Sequence, residues 1–180
     1  MFVQTEITPN PNSLKFIPGK VVSNSEVFEV TNKDETNNQL VRNILSINGV
    51  TGIFLGHEFL SVNKDEKTDW EDIKHIVISL INEFYSSGQE FVIDKNLEEK
   101  EEVNLIEIEK KIIKILDTKV RPAVAKDGGD IKFKEYKDGV VKVQLQGSCS
   151  GCPSSTMTLK QGVQNLLCHY IPEIKEVEAI

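Results

Sequence analysis

Cysteine is scarce in this chain: three in 180 residues, Cys149, Cys152 and Cys168. An odd, small number does not build a disulfide framework, so reduced thiols in a cytosol-like compartment are expected. Histidine is equally sparse, and His57, His75 and His169 show no ligand spacing to the cysteine pair. Long apolar runs are missing, and nothing approaches the ~20 residues that a membrane-spanning helix needs. The opening stretch Met1-Phe2-Val3-Gln4-Thr5-Glu6 lacks a basic region and an apolar segment, so neither a secretory nor a mitochondrial leader is expected there. A positive balance is missing too. The formal charge is −7, which argues against non-specific nucleic-acid binding. Neither a Ser/His/Asp arrangement, a phosphate loop nor a paired-carboxylate site stands out.

What is present is an ordinary globular composition, 39% hydrophobic and 27% charged, divided unevenly. Residues 1–87 carry a net −5, residues 88–104 a net −4 and residues 105–180 a net +2. An acidic front and a mildly basic back suggest two units with different partners. The first, 1–87, reads as mixed α/β. Strand-like runs lie at Phe2 to Ile7, Leu14 to Ile17, Glu26 to Val30, Thr51 to Leu55 and Phe59 to Asn63. Helical stripes run through Leu40, Val41 and Ile44 and through Ile73, Val77, Ile81 and Phe84. Asp69 is the expected N-cap of the second helix. Residues 88–104, rich in Glu and Lys, read as an acidic flexible linker.

Residues 105–180 read as a second unit of order α-β-β-α-β. A stripe at Ile108, Ile112, Ile115 and Leu116 predicts a helix. Asp127-Gly128-Gly129 stops it, because glycine tolerates the left-handed conformation of a helix end. Ile131 and Phe133, then Val141, Val143 and Leu145, alternate as two strands around an Asp138-Gly139 hairpin signal. A helix from about Pro153 to Tyr170 and a short strand from Ile174 to Ala179 complete it. The expected class is α+β, two small domains, with a Cys-x-x-Cys loop between strand and helix.

That loop, Gly147-Ser148-Cys149-Ser150-Gly151-Cys152-Pro153, is the sharp chemical feature. Pro153 suits the first helical position, so both sulfurs are placed at or just before a helix N-terminus, where the dipole favours thiolate. Gly147 and Gly151 let the backbone bend around the sulfurs and aim N–H groups at bound sulfide. From Val143 to Leu159 there is no formal charge, so another protein surface can cover the loop without stranding an ion. A cubane cluster takes four thiolates. Cys168 lies ~24 Å along the same helix and is out of reach, so a second copy of the chain is the simplest completion. From these residues alone three readings stay open: cluster or metal binding, thiol–disulfide chemistry, and a zinc-mediated interaction module.

The residues also resemble a known family. Arg121-Pro122, Asp127-Gly128-Gly129-Asp130 and Gly147-Ser148-Cys149-Ser150-Gly151-Cys152-Pro153-Ser154-Ser155, followed by Thr158-Leu159-Lys160, look like the NifU C-terminal domain. Thr8-Pro9-Asn10-Pro11-Asn12-Ser13-Leu14-Lys15-Phe16 and Gly49-Val50 look like the Nfu N-terminal domain. The order is that of mitochondrial and α-proteobacterial Nfu proteins. The resemblance implies a non-enzymatic carrier. It would bind a [4Fe–4S] cluster between two subunits through Cys149 and Cys152 of each. It would pass that cluster to apo iron–sulfur target proteins, having received it from upstream assembly proteins. A homodimer on cluster binding, with no nucleic-acid or membrane partner, is expected. The expected location is a bacterial cytoplasm, ahead of the mitochondrial matrix.

Overall fold

The computed structural model describes residues 2–23, 27–90 and 106–180. The acidic segment 88–104 therefore lies mostly outside the described residues, as does the start of the strand expected from Glu26.

The front of the chain forms a five-stranded antiparallel sheet, with β1 (Gln4–Ile7), β2 (Ser13–Ile17), β3 (Phe28–Val30), β4 (Val50–Leu55) and β5 (Leu60–Lys64) in the order β1-β2-β5-β4-β3. Strand alternation sends Leu14, Phe16, Leu60, Val62, Ile53 and Leu55 to one face. There they pack with Leu40, Val41 and Ile44 of α1 (Gln39–Leu45) and Val77, Ile81 and Phe84 of α2 (Trp70–Ser86). Asn38 caps α1, its side chain accepting from the Val41 amide at 3.1 Å. Asp69 holds the N-cap position of α2, but its side chain makes no capping bond.

The opposite face of this sheet carries a row of directly paired residues, Glu6, Lys15, Ser61, Phe54 and Glu29, one from each strand. Side chains opposite one another in a ladder project to the same side. Phe54 and Ser61 are 0% exposed, so this face is covered too. The second unit covers it.

That unit runs α3 (Glu107–Ile115), a π turn (Leu116–Val120), α4 (Arg121–Lys126), β6 (Gly129–Lys137), β7 (Val140–Gly147), α5 (Pro153–Tyr170) and β8 (Glu176–Ala179). The sheet order is β6-β7-β8, with β7 and β8 parallel and joined through α5. Ile112, Leu116, Val120, Val124, Ile131, Val141, Val143, Val163, Leu167 and Val177 form its core. The α+β class and the α-β-β-α-β frame are those expected. The single long helical stripe, however, is broken by the π turn into two short helices. The β6–β7 turn has positive φ at both Asp138 (52°) and Gly139 (89°), the pattern of a type I′ hairpin.

Candidate metal centre

Cys149 and Cys152 lie on the turn between β7 and α5. Three left-handed glycines shape the approach: Gly128 (φ 81°), Gly147 (φ 66°) and Gly151 (φ 79°). Such angles are costly for residues with a Cβ. Space matters as well. A Cβ on Gly147 would stand 2.6 Å from the Gly128 carbonyl and 2.9 Å from the Phe54 ring, and one on Gly129 would stand 2.5 Å from Cys149 Sγ. The thiol of Cys149 thus rests directly on the backbone of Gly129, which itself pairs with Gly147 at the end of the β6–β7 ladder.

Cys152 is the N-cap residue of α5, with extended backbone (φ −111°) and Pro153 following. Its carbonyl accepts from the Thr156 amide at 2.9 Å, and its sulfur lies 3.3 Å from Ser154 Oγ. It is half-buried. Cys149 is only 8% exposed and belongs to the apolar core. Burial pushes its thiol up to about 11, and the nearby carboxylates of Asp127 and Asp130 act in the same direction. The expectation that the helix dipole would make both sulfurs thiolate is therefore corrected for Cys149. Desolvation by burial is the largest cause, and it disfavours the charged thiolate.

The loop amides are also engaged. Ser148 N–H donates to the Gly128 carbonyl at 3.2 Å, Ser150 N–H to the Gly147 carbonyl at 3.1 Å, and Gly147 N–H to Glu29 Oε1 at 3.0 Å. The Ser148 hydroxyl donates to the Asp127 carbonyl. Glu29 was not singled out from the sequence. It reaches the loop from β3, and burial raises its carboxyl above the usual carboxylate range despite the bonds from Gly147 and Ser150. The available signal was Ile53-Phe54-Leu55, an unbroken apolar run that marks a strand covered on both faces.

Asp130 accepts from Arg121 Nε at 2.8 Å and Nη2 at 3.0 Å, so these family-motif residues brace the helix against the strand that carries Gly129. Cys168 lies near the far end of α5 and donates its S–H to the Ile174 carbonyl at 3.2 Å. His57 Nδ1 lies 2.7 Å from the Ser23 carbonyl. Among the described residues no group of three or more His, Cys, Asp or Glu side chains could hold a metal ion. One chain therefore contributes two sulfur donors at this loop. A groove of about 480 Å³ runs beside Cys149 between α4 and α5, lined by Val120, Val124, Leu159 and Val163 and by Pro9 of the first unit.

Comparison with known proteins shows the family of the chain. A family model described as "NifU-like domain" matches residues 112–178, and one described as "Scaffold protein Nfu/NifU N terminal" matches residues 3–88. The human protein named "NFU1 iron-sulfur cluster scaffold homolog, mitochondrial" is 42% identical over 188 residues, covering 100% of this chain and 72% of the human one. "NifU-like protein 4, mitochondrial" of Arabidopsis thaliana is 39% identical over 185 residues, covering 99% of this chain and 65% of that protein. A solution structure of a NifU-like protein from Saccharomyces cerevisiae aligns with a TM-score of 0.46 at 28% identity, covering 53% of this chain and 86% of that one. The mitochondrial relatives overturn the expected bacterial cytoplasm. The chain belongs to the Nfu family of iron–sulfur cluster scaffold proteins, which is a scaffold family and not an enzyme family.

Proposed function

We propose that this chain is a mitochondrial-type carrier that binds a [4Fe–4S] cluster as cargo between two copies of itself and hands it to apo iron–sulfur proteins. Cys149 and Cys152 of each copy are the ligands in this reading. The observation that carries it is the donor count: two thiols on one glycine-shaped loop, and no other candidate metal group among the described residues. A cluster requiring four thiolates then needs a second loop, and an isologous two-fold pairing supplies it. Half-ligation by each copy also favours release, because incoming target thiolates can displace one pair at a time.

The thiol–disulfide alternative loses support from Cys149. Redox nucleophiles have depressed thiol pKa values, whereas this one is raised. A zinc module would use the same four sulfurs, and metal analysis separates the two.

The test is anaerobic reconstitution of the wild type and of Cys149→Ala and Cys152→Ala, followed by transfer to an apo-acceptor. Both variants are expected to lose the brown chromophore and donor activity. A variant that keeps a stable, transferable cluster contradicts the assignment, as does a colourless wild type carrying only zinc.

A further inference from the structure

The helix-free face of the N-terminal sheet meets the cysteine loop with matched chemistry. The Lys15 ammonium donates to the Lys126 carbonyl at 3.1 Å, and the Ser61 hydroxyl to the Gly128 carbonyl at 2.7 Å. The Asn63 amide donates to the Gly147 carbonyl at 3.3 Å, and that of Asn10 to the Ser150 carbonyl at 3.2 Å. In return Glu29 accepts from the Gly147 amide and, at 3.4 Å, from the Ser150 hydroxyl. Almost every group contacted on the loop side is backbone, so this is recognition of a chain conformation. Phe54 lies fourth in the five-residue row, fully buried against Gly147 and with its ring 6.0 Å from that of Phe59. A phenylalanine at that position would be a solvent-facing aromatic in an isolated N-terminal unit. Gly128 leaves room for the contact, since a Cβ there would meet Ser61 Oγ at 2.6 Å.

We propose that this face is an intramolecular docking surface for the cysteine loop. It holds the two turns around Cys149 against the N-terminal sheet in the metal-free chain, and undocking is the step that lets two loops meet around a cluster. The second half rests on the carrier reading above. The donors, the acceptor and the Phe54 ring all converge on the two turns around Cys149. While they are engaged, the Gly147 amide is committed to Glu29.

The experiment uses the full-length, reduced, metal-free chain with Ser61→Arg and Phe54→Lys. Both side chains lie on the docked face, away from the core that packs on α1 and α2. Amide exchange at Gly147 is read by NMR and dimensions by small-angle scattering. Helical circular dichroism verifies folding. The wild type is expected to be compact with a protected Gly147 amide. Either folded variant is expected to raise the Gly147 exchange rate by about tenfold or more, as loss of one decade in a docking equilibrium requires. A wild type that scatters as two separated bodies, with Gly147 exchanging freely, overturns the proposal without needing either variant. Iron loading is scored separately. Protection without iron uptake ends the carrier reading and leaves the docking, and uptake without protection does the reverse.

Discussion

Arg121 grips Asp130 with two N–H bonds, 2.8 and 3.0 Å, across the junction where α4 gives way to β6. Asp130 is 3% exposed, and its neighbour Gly129 is the surface on which the Cys149 thiol rests. The ion pair is therefore a brace for the cysteine loop, acting through the backbone of the Asp127-Gly128-Gly129-Asp130 turn. Arg121→Met leaves a buried carboxylate without its partner, a change that destabilises strongly in a dry interior. The guanidinium side chain is 37% exposed, so a loss below that of a fully buried pair, about 2 kcal/mol, is expected. Urea unfolding checks it. Arg121→Lys should recover only part of the loss, because an ammonium cannot make the bidentate contact.

The glycines of the loop divide into two kinds. Gly151 has a positive φ but open space around a Cβ position, so Gly151→Ala is expected to cost only backbone strain, about 1 kcal/mol. Gly147 has the same kind of angle and also faces the Gly128 carbonyl and the Phe54 ring. Gly147→Ala should therefore cost about 2 to 4 kcal/mol, combining strain with displaced packing. Thermal denaturation of the pair checks the ordering. Equal effects would contradict the packing role given to Gly147.

The raised Cys149 thiol makes a pH prediction. Its ordinary value is 9.0 and burial takes it to about 11. The unfolded chain then loses this proton before the folded chain does. The contribution to stability is fully present below pH 9 and is lost as pH rises through that window toward 11. The amount is on the order of 3 kcal/mol for a shift of this size. Cys149→Ala should flatten the decline between pH 9 and 11 relative to the wild type, as measured by urea midpoints. Alkylation of Cys149 should likewise rise with pH later than that of an ordinary thiol.

Cys168 provides a control. It is partly buried against the second core and donates to the Ile174 carbonyl, near the end of α5 opposite the cysteine loop. Cys168→Ala should cost about 1 kcal/mol, a weak bond and a little packing. Iron content after reconstitution should match the wild type. A substantial loss of iron would place Cys168 in the site and contradict the ligand set.

Much of the second unit was legible because its signals are local. Asp138-Gly139 encodes the hairpin, alternation at Val141, Val143 and Leu145 gives β7, and Pro153 starts α5 one residue after Cys152. The π turn was not legible. Ile112, Leu116, Val120 and Val124 follow one another at four-residue spacing, which a continuous helix produces equally well. The state of Cys149 was missed for a different reason. A dipole argument sees the helix that follows, while the covering of the thiol comes from Gly129 and its surroundings, which are distant in sequence. The docked face was hidden for the same reason. Lys15, Ser61 and Asn63 are polar residues on a strand, and polar alternation reads as a face turned to water. Phe54 alone signalled otherwise.

The most direct measurement of the central claim is native mass spectrometry of the anaerobically loaded wild-type chain. The account predicts one species of two chains carrying four iron and four sulfide, with the metal-free chain lacking that added mass. A cluster held by a single chain, or a loaded dimer containing only zinc, would contradict it.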